Sequence, residues 1–212
     1  AVRVETKGSD GYLEVLISGT PERLSLRYLR GLQDGMAGYW LGRKGKKPAV
    51  IANMDQYAAA GEVSVSELIE LTKACQSALS KVGCPGMMIV FDEFGKFLEY
   101  ESRFLGVNDV FLLQALAEHA HAGHATKILL LVLLHQSIEQ YARGVGESLK
   151  NEWAKIQGRF EEIPFLESAE QTLRVVSAAI MQKPFDAVSE KLINSKFATA
   201  IEGLSIEGVI PS

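Results

Sequence analysis

Apolar residues follow two rhythms along this chain, and the change between them outlines its elements. Tyr12 to Ile17 (YLEVLI) is a short apolar, β-branched run closed by Ser18-Gly19, which predicts a strand. Pro21 then stands where a helix can begin, and Leu24, Tyr28, Leu29 and Leu32 recur at helical spacing. Ser64 and Glu67 have the spacing of a capping box, in which each side chain satisfies an orphan amide of the other. A helix is predicted over 64–81, with Leu68, Leu71, Cys75 and Leu79 on one face and Gly83-Cys84-Pro85-Gly86 ending it.

Two segments are apolar without interruption. Met87 to Phe91 (MMIVF) and Ile128 to Leu134 (ILLLVLL) read as strands buried on both faces, the form that parallel sheets require, although leucine alone also permits a helix in the second. Between them, Asn108 to Ala122 reads as a helix with Asn108 as its cap, Leu112, Leu113 and Leu116 inward, and Gly123 as its end. Further on come a short strand near 162–165, a helix from Ser168 to about Met181 opened by Ser168 and Gln171, and a helix over roughly 184–203. Alternating strands and helices predict an α/β fold with a mostly parallel sheet and helices on both faces.

Composition narrows the class. The chain has 212 residues, 47% hydrophobic and 23% charged, which suits a soluble domain with a real core, plus a small appendage at most. A net charge of −4 gives no global basic footprint for nucleic acid, so contact with DNA would fall to a local patch or another region. Gly42 to Lys47 (GRKGKK) is either a solvated linker or such an anion-binding patch. Cys75 and Cys84 match neither a disulfide framework nor a paired-cysteine zinc site, and fit small buried residues in a reducing cytoplasm. No signal peptide is visible, and the run 128–134 is too short to cross a bilayer, so no membrane association is expected. Ala1 without a methionine, and a Gly-Val-Ile-Pro-Ser end, read as a piece excised from a longer protein.

The chemistry concentrates in MMIVFDEFGKF, residues 87–97. Ligands of open α/β sheets bind beyond the carboxyl ends of the strands. A carboxylate there, Asp92, can hold a hydrated Mg²⁺ ion, and the next, Glu93, can orient or deprotonate an attacking water. That is the logic of a Walker B segment; the bland alternative is a strand ending in solvated acids. The run 128–134 ends in His135-Gln136-Ser137, where a polar sensor of a γ-phosphate or water would stand. Arg159, in QGRF, is a candidate arginine finger or a structural arginine, and Arg143 is a weaker candidate. A phosphate-binding loop, G-x-x-x-x-G-K-[ST], is missing. The nearest segment, Ser18 to Ser25, lacks the second glycine and the lysine, and Glu22 would repel phosphate. His119, His121 and His124 invite a metal, but positions two apart do not share a helix face, so a wet helix end is the expectation.

These strings resemble a family of large bacterial P-loop ATPases of the additional-strand, AAA-like class, some serving anti-phage systems of the BREX type. The resemblance rests on FDEFGKFLEY at 91–100, LLQALAEHA at 112–120, LLHQSIEQYA at 133–142 and EWAKIQGRFEEIPF at 152–165. It covers roughly 87–180 well and the first 60 residues loosely. It implies a partial three-layer P-loop fold whose first strand and phosphate loop would lie upstream of Ala1. Asp92 and Glu93 would match the Walker B pair and bind nucleotide and metal; His135 and Gln136 would match the sensor, and Arg159 an arginine of unassigned role.

The implied strand order is 5-1-4-3-2, with strand 2 at 12–17, strand 3 at 87–91, strand 4 at 128–134 and strand 5 near 162–165. The place of strand 1 is then vacant beside 128–134. Unpaired apolar edges are costly, so the expected filler is Val2 to Thr6, a partner chain, or strand 5 itself. The domain reading is an ATPase core over 1–182 and a helical extension over 183–212. ATP and Mg²⁺ are the cofactors expected of the intact protein, with none expected on this piece. Its expected partners are the missing N-terminal part, a second copy, and DNA through other regions. The two rivals to a hydrolysing fragment are a catalytically silent interaction or scaffold module and an unrelated α/β enzyme using Asp92 and Glu93 as acid and base.

Overall fold

The computed structural model describes residues 11–43, 45–104, 109–123, 125–143, 146–164, 169–179 and 187–206. The chain divides into two compact units, 1–162 and 163–212. In the first, β1 (Leu13–Ser18), β2 (Gly86–Asp92) and β3 (Lys127–Val132) form a parallel sheet in the order β1-β2-β3. Leu13 lies beside Met87, and Met87 beside Ile128, so the strands predicted at 12–17, 87–91 and 128–134 are neighbours in the expected sequence.

The alternation in β1 sends Leu13, Val15 and Ile17 into the core and Glu14, Leu16 and Ser18 outward. In register with the inward set come Met87, Ile89 and Phe91, all buried. Against this face packs α1 (Leu24–Tyr39), which starts three residues later than Pro21 suggested. Two glycines let it approach: a Cβ on Gly31 would meet the Ile17 side chain at 2.7 Å, and one on Gly35 would meet the Glu14 carbonyl oxygen at 2.6 Å. Tyr28 stacks on Phe91 and bonds Thr72 Oγ1 at 2.8 Å. Because Thr72 donates its own hydrogen to the Leu68 carbonyl, Tyr28 is the donor.

Thr72 belongs to α3 (Val65–Ser80), whose Ser64–Glu67 capping box forms as the spacing predicts. Between α1 and α3 lies α2 (Ala49–Ala60), which the apolar pattern did not announce. After β2 come α4 (Gly95–Arg103) and α5 (Phe111–His121), and α5 packs on α3 and β3. The N-cap of α5 is Val110; Asn108 lies outside the described residues. After β3, α6 (Ile138–Tyr141) and α7 (Glu147–Gln157) complete the unit, with Trp153 and Ile156 of α7 in its core. In the second unit, the two predicted helices appear as α8 (Ala169–Ala179) and α9 (Ala187–Ile206). No helix of the described residues is long and apolar enough to cross a membrane.

Two expectations fail. The sheet is not buried on both faces: Leu16, Leu129 and Leu133, on the face turned away from α1, are 61%, 51% and 49% exposed. The reason is topological. Right-handed crossovers that step across a sheet in one direction lay their helices on one side only. The order β1-β2-β3 makes two such steps and no reversal. Next, residues 161–164 are not in a strand, so strand 5 does not form over its described part; Phe165 is outside the described residues. Pro164 has no N–H to give a ladder, and Glu161 and Glu162 are exposed. Strand 5 therefore does not fill the place beside β3 over its described part, and β3 pairs only with β2 among the described residues. Val2 to Thr6, one expected filler, lies outside the described residues.

The fit of α1 on β1 is testable with a pair of alanines. Gly35→Ala should destabilise the protein by about 1–3 kcal/mol, because backbone and helix must part. Gly38→Ala, on the same helix with nothing within 4 Å of its Cβ position, should be neutral or stabilising by up to about 1 kcal/mol. Urea denaturation of both variants gives the comparison.

Candidate functional site

The carboxyl ends of the three strands meet in one acidic turn. β2 ends at Asp92, and the Asp92 carbonyl accepts the Gly19 amide at 2.8 Å, which fastens the β1–α1 turn beside it. Asp92 Oδ1 accepts the amide of Glu93 at 2.8 Å. Glu93 has a φ of 51°, a left-handed conformation that glutamate rarely takes. Its carbonyl oxygen lies where a Cβ on Gly19 would be, so position 19 admits only glycine without a shift of backbone. From the other side, Leu133 donates its amide to Phe91 O at 2.8 Å and accepts that of Phe94 at 3.1 Å, so the end of β3 holds the far side of the turn.

This brings together four of the residues singled out in the sequence. Glu93 accepts a 2.6 Å bond from Lys96 Nζ on the first turn of α4, and His135 Nε2 stands 3.8 Å from its other oxygen. The Lys96 ammonium, through its hydrogen bond and charge, holds the Glu93 carboxyl below the ordinary carboxylate range, with His135 adding to the effect. His135 is 76% exposed and free to face a ligand. Gln136 acts on the phenol of Tyr141, and the Tyr141 ring lies against Gly95, where any Cβ would collide with it. Lys96, Gly19, Gly95 and Tyr141 were not singled out by the sequence. Gly19 is visible there only as half of a Ser-Gly turn, and Lys96 as one lysine near two acids.

The remaining candidates serve other parts of the fold. Arg159 pairs with Glu118 of α5 at 2.6 Å, outside the acidic turn. Arg143 lines an open surface cavity of about 320 Å³ with Lys150, Asn151 and Gln157. Glu22 takes bonds from Thr20 and Arg30, and the 18–25 segment turns straight into α1 rather than encircling an anion. Arg43 of the basic loop folds back onto its own helix end, its guanidinium 4.1 Å from the Tyr39 ring centre.

The wet-helix-end reading of the histidines is corrected at His119. It is buried, and its Nε2 bonds Gln76 Oε1 at 2.6 Å while Gln76 Nε2 donates to Thr126 O. His121 is exposed, and His124 is outside the described residues. Both cysteines are buried and free, and burial pushes the Cys75 thiol up to about 12.

Among the described residues, no group of three or more His, Cys, Asp or Glu side chains could cage a metal. A Mg²⁺ ion does not need one: it is commonly held by one or two carboxylates, with water and substrate phosphate completing its octahedron. Asp92, exposed and with one oxygen committed to the Glu93 amide, fits that role.

The Lys96–Glu93 pair gives a titration test. Lys96→Met should raise the midpoint of the Glu93 carboxyl toward the ordinary carboxylate range, read by carboxyl-carbon NMR. A depressed carboxylate contributes its stability above its unfolded value and loses it as pH falls through the folded one. The wild type should therefore lose a small increment at acid pH that the variant lacks. Gly19→Ala should shift the amide resonances of Asp92 and Glu93 and cost about 1–3 kcal/mol in denaturant.

Compared with known proteins, the chain matches no family model, no curated protein and no solved structure.

Proposed function

We propose that the Asp92–Glu93 turn is the metal- and water-handling half of a nucleotide-hydrolysing site, in an ATPase that couples hydrolysis to conformational work. The observation that carries this reading is the placement of adjacent carboxylates at the carboxyl end of the central parallel strand, with His135 at the end of the next strand facing Glu93. In the proposed chemistry, Asp92 would hold Mg²⁺, which is commonly bound by one or two carboxylates. Glu93, once released from Lys96, takes the proton of the attacking water. His135 and Gln136 contact the γ-phosphate or that water. Mg²⁺, when bound with ATP, supplies charge neutralisation of the phosphates.

The phosphate cradle is proposed to come from a segment outside this sequence. Arg159 would then act in another copy, and DNA contact and the defence role suggested by the resemblance belong to that longer, cytoplasmic protein. The second reading, a catalytically silent interaction module, is favoured by one feature: Glu93 is already engaged by Lys96.

Labelled ATP titrated against this chain and against the longer protein separates the two. Binding by the longer protein supports the first reading, and binding by neither supports the second. In the longer protein, Glu93→Gln should retain ATP while turnover falls by about 100-fold or more; steady-state hydrolysis near wild type would refute the assignment.

A further inference from the structure

Away from the acidic turn, the molecule buries two carboxylates among the described residues, and only one of them has a cation there. Asp109 is buried, just before α5, and takes all of that cation: Arg23, at the start of α1, grips it with Nε and a terminal nitrogen at 3.0 Å each, and Ser25 Oγ adds a bond at 2.9 Å. Glu101, on α4, is 5% exposed and has a single described bond, from the Val110 amide at 3.1 Å. It has no described cationic partner. Among the described groups, Asp109, just before α5, is the one whose charge acts on Glu101; Asp109 is paired with Arg23, the N-cap of α1, on which Tyr100 and Glu62 also act. Arg23 is the only cation among them, and its fork is spent on Asp109.

We propose that Glu101 is a pH-sensitive latch between α4 and the N-terminus of α5: burial without a cation makes its charged form costly in the closed junction, so ionisation favours opening. Burial of the carboxyl and the neighbouring Asp109 charge both disfavour the anion. The Val110 amide, which donates to the carboxyl and so favours the anion, opposes burial and outweighs the Asp109 charge. Burial acts most strongly, and the Glu101 midpoint is raised to about 7. The sign follows. Between the ordinary carboxylate range and that midpoint the closed junction holds a proton that the opened one has lost, so closure weakens as pH rises and levels off above it. Because α4 begins at Gly95, directly after Asp92, Glu93 and Phe94, and carries Lys96 on its first turn, the latch governs how firmly the acidic turn is held. The inference is independent of any nucleotide chemistry there.

Amide hydrogen exchange and carboxyl-carbon NMR on the whole chain test it. Corrected for intrinsic base catalysis, opening at Val110 and along α4 should rise by up to roughly tenfold per pH unit from pH 5, then level off near the Glu101 midpoint. One glutamate carboxyl should titrate near pH 7 and drop out of the spectrum in Glu101→Gln, whose corrected exchange should be flat over the same range. A Glu101 carboxyl titrating in the ordinary range, a flat wild-type profile, or an unchanged slope in the variant would overturn the proposal. Should Glu101→Gln fail to fold, the wild-type titration and exchange profile decide alone.

Discussion

A parallel strand can join its neighbour only if the chain leaves the sheet and returns over one face, and the hand of that return is fixed. The architecture follows from applying this twice in the same direction. From β1 the chain crosses through α1, α2 and α3 to β2, and from β2 through α4 and α5 to β3. Both returns lie on one side, so the core forms between the inward residues of the sheet and that single helical layer. The same rule sets the carboxyl ends of all three strands together, and the acidic turn sits at that common end. Its backbone is fixed on one flank by Gly19 and on the other by Leu133.

Much of this frame is legible in the residues. MMIVF and ILLLVLL are apolar without interruption and bounded by turn residues; β2 reaches one residue beyond each predicted limit, and β3 starts one residue early and ends at Val132, two short of Leu134. The Ser64–Glu67 box forms because it is a local interaction three residues apart. Other elements carry weaker signals. AVIANMDQYAAA buries only Val50 and Met54, so α2 has almost no apolar stripe to read. GKFLEYESR follows two acids so closely that its helical spacing of Phe97, Leu98 and Glu101 was masked by the chemistry read into it.

The acidic pair and its histidine neighbour were legible, because they stand at strand ends and a strand end is a place. What holds them was not. The fit of Gly19 against the Glu93 carbonyl joins residues far apart in the chain, and no local pattern encodes it. Lys96 became meaningful only when the left-handed Glu93 turned its carboxylate toward α4. The expectation of helices on both faces failed for a related reason. Alternation of strands and helices says that the sheet is parallel, whereas the side each helix takes depends on the order of the strands, which no periodicity reports.

The pairing order also bears on how the chain reaches this state. β2 meets β3 across the shorter of the two crossovers, while β1 must wait for three helices before Leu13 can reach Met87. Closing a longer loop costs more entropy, and non-local parallel pairing is slow. The β2–β3 half, with α4 and α5 between, is therefore the better nucleus. The acidic turn belongs to it from the start, while its Gly19 flank arrives with the last strand. During assembly Phe91 and Phe94, on either side of the acidic pair, are thus held by Leu133 before the β1–α1 turn settles against Glu93, and the close fit of Gly19 closes last.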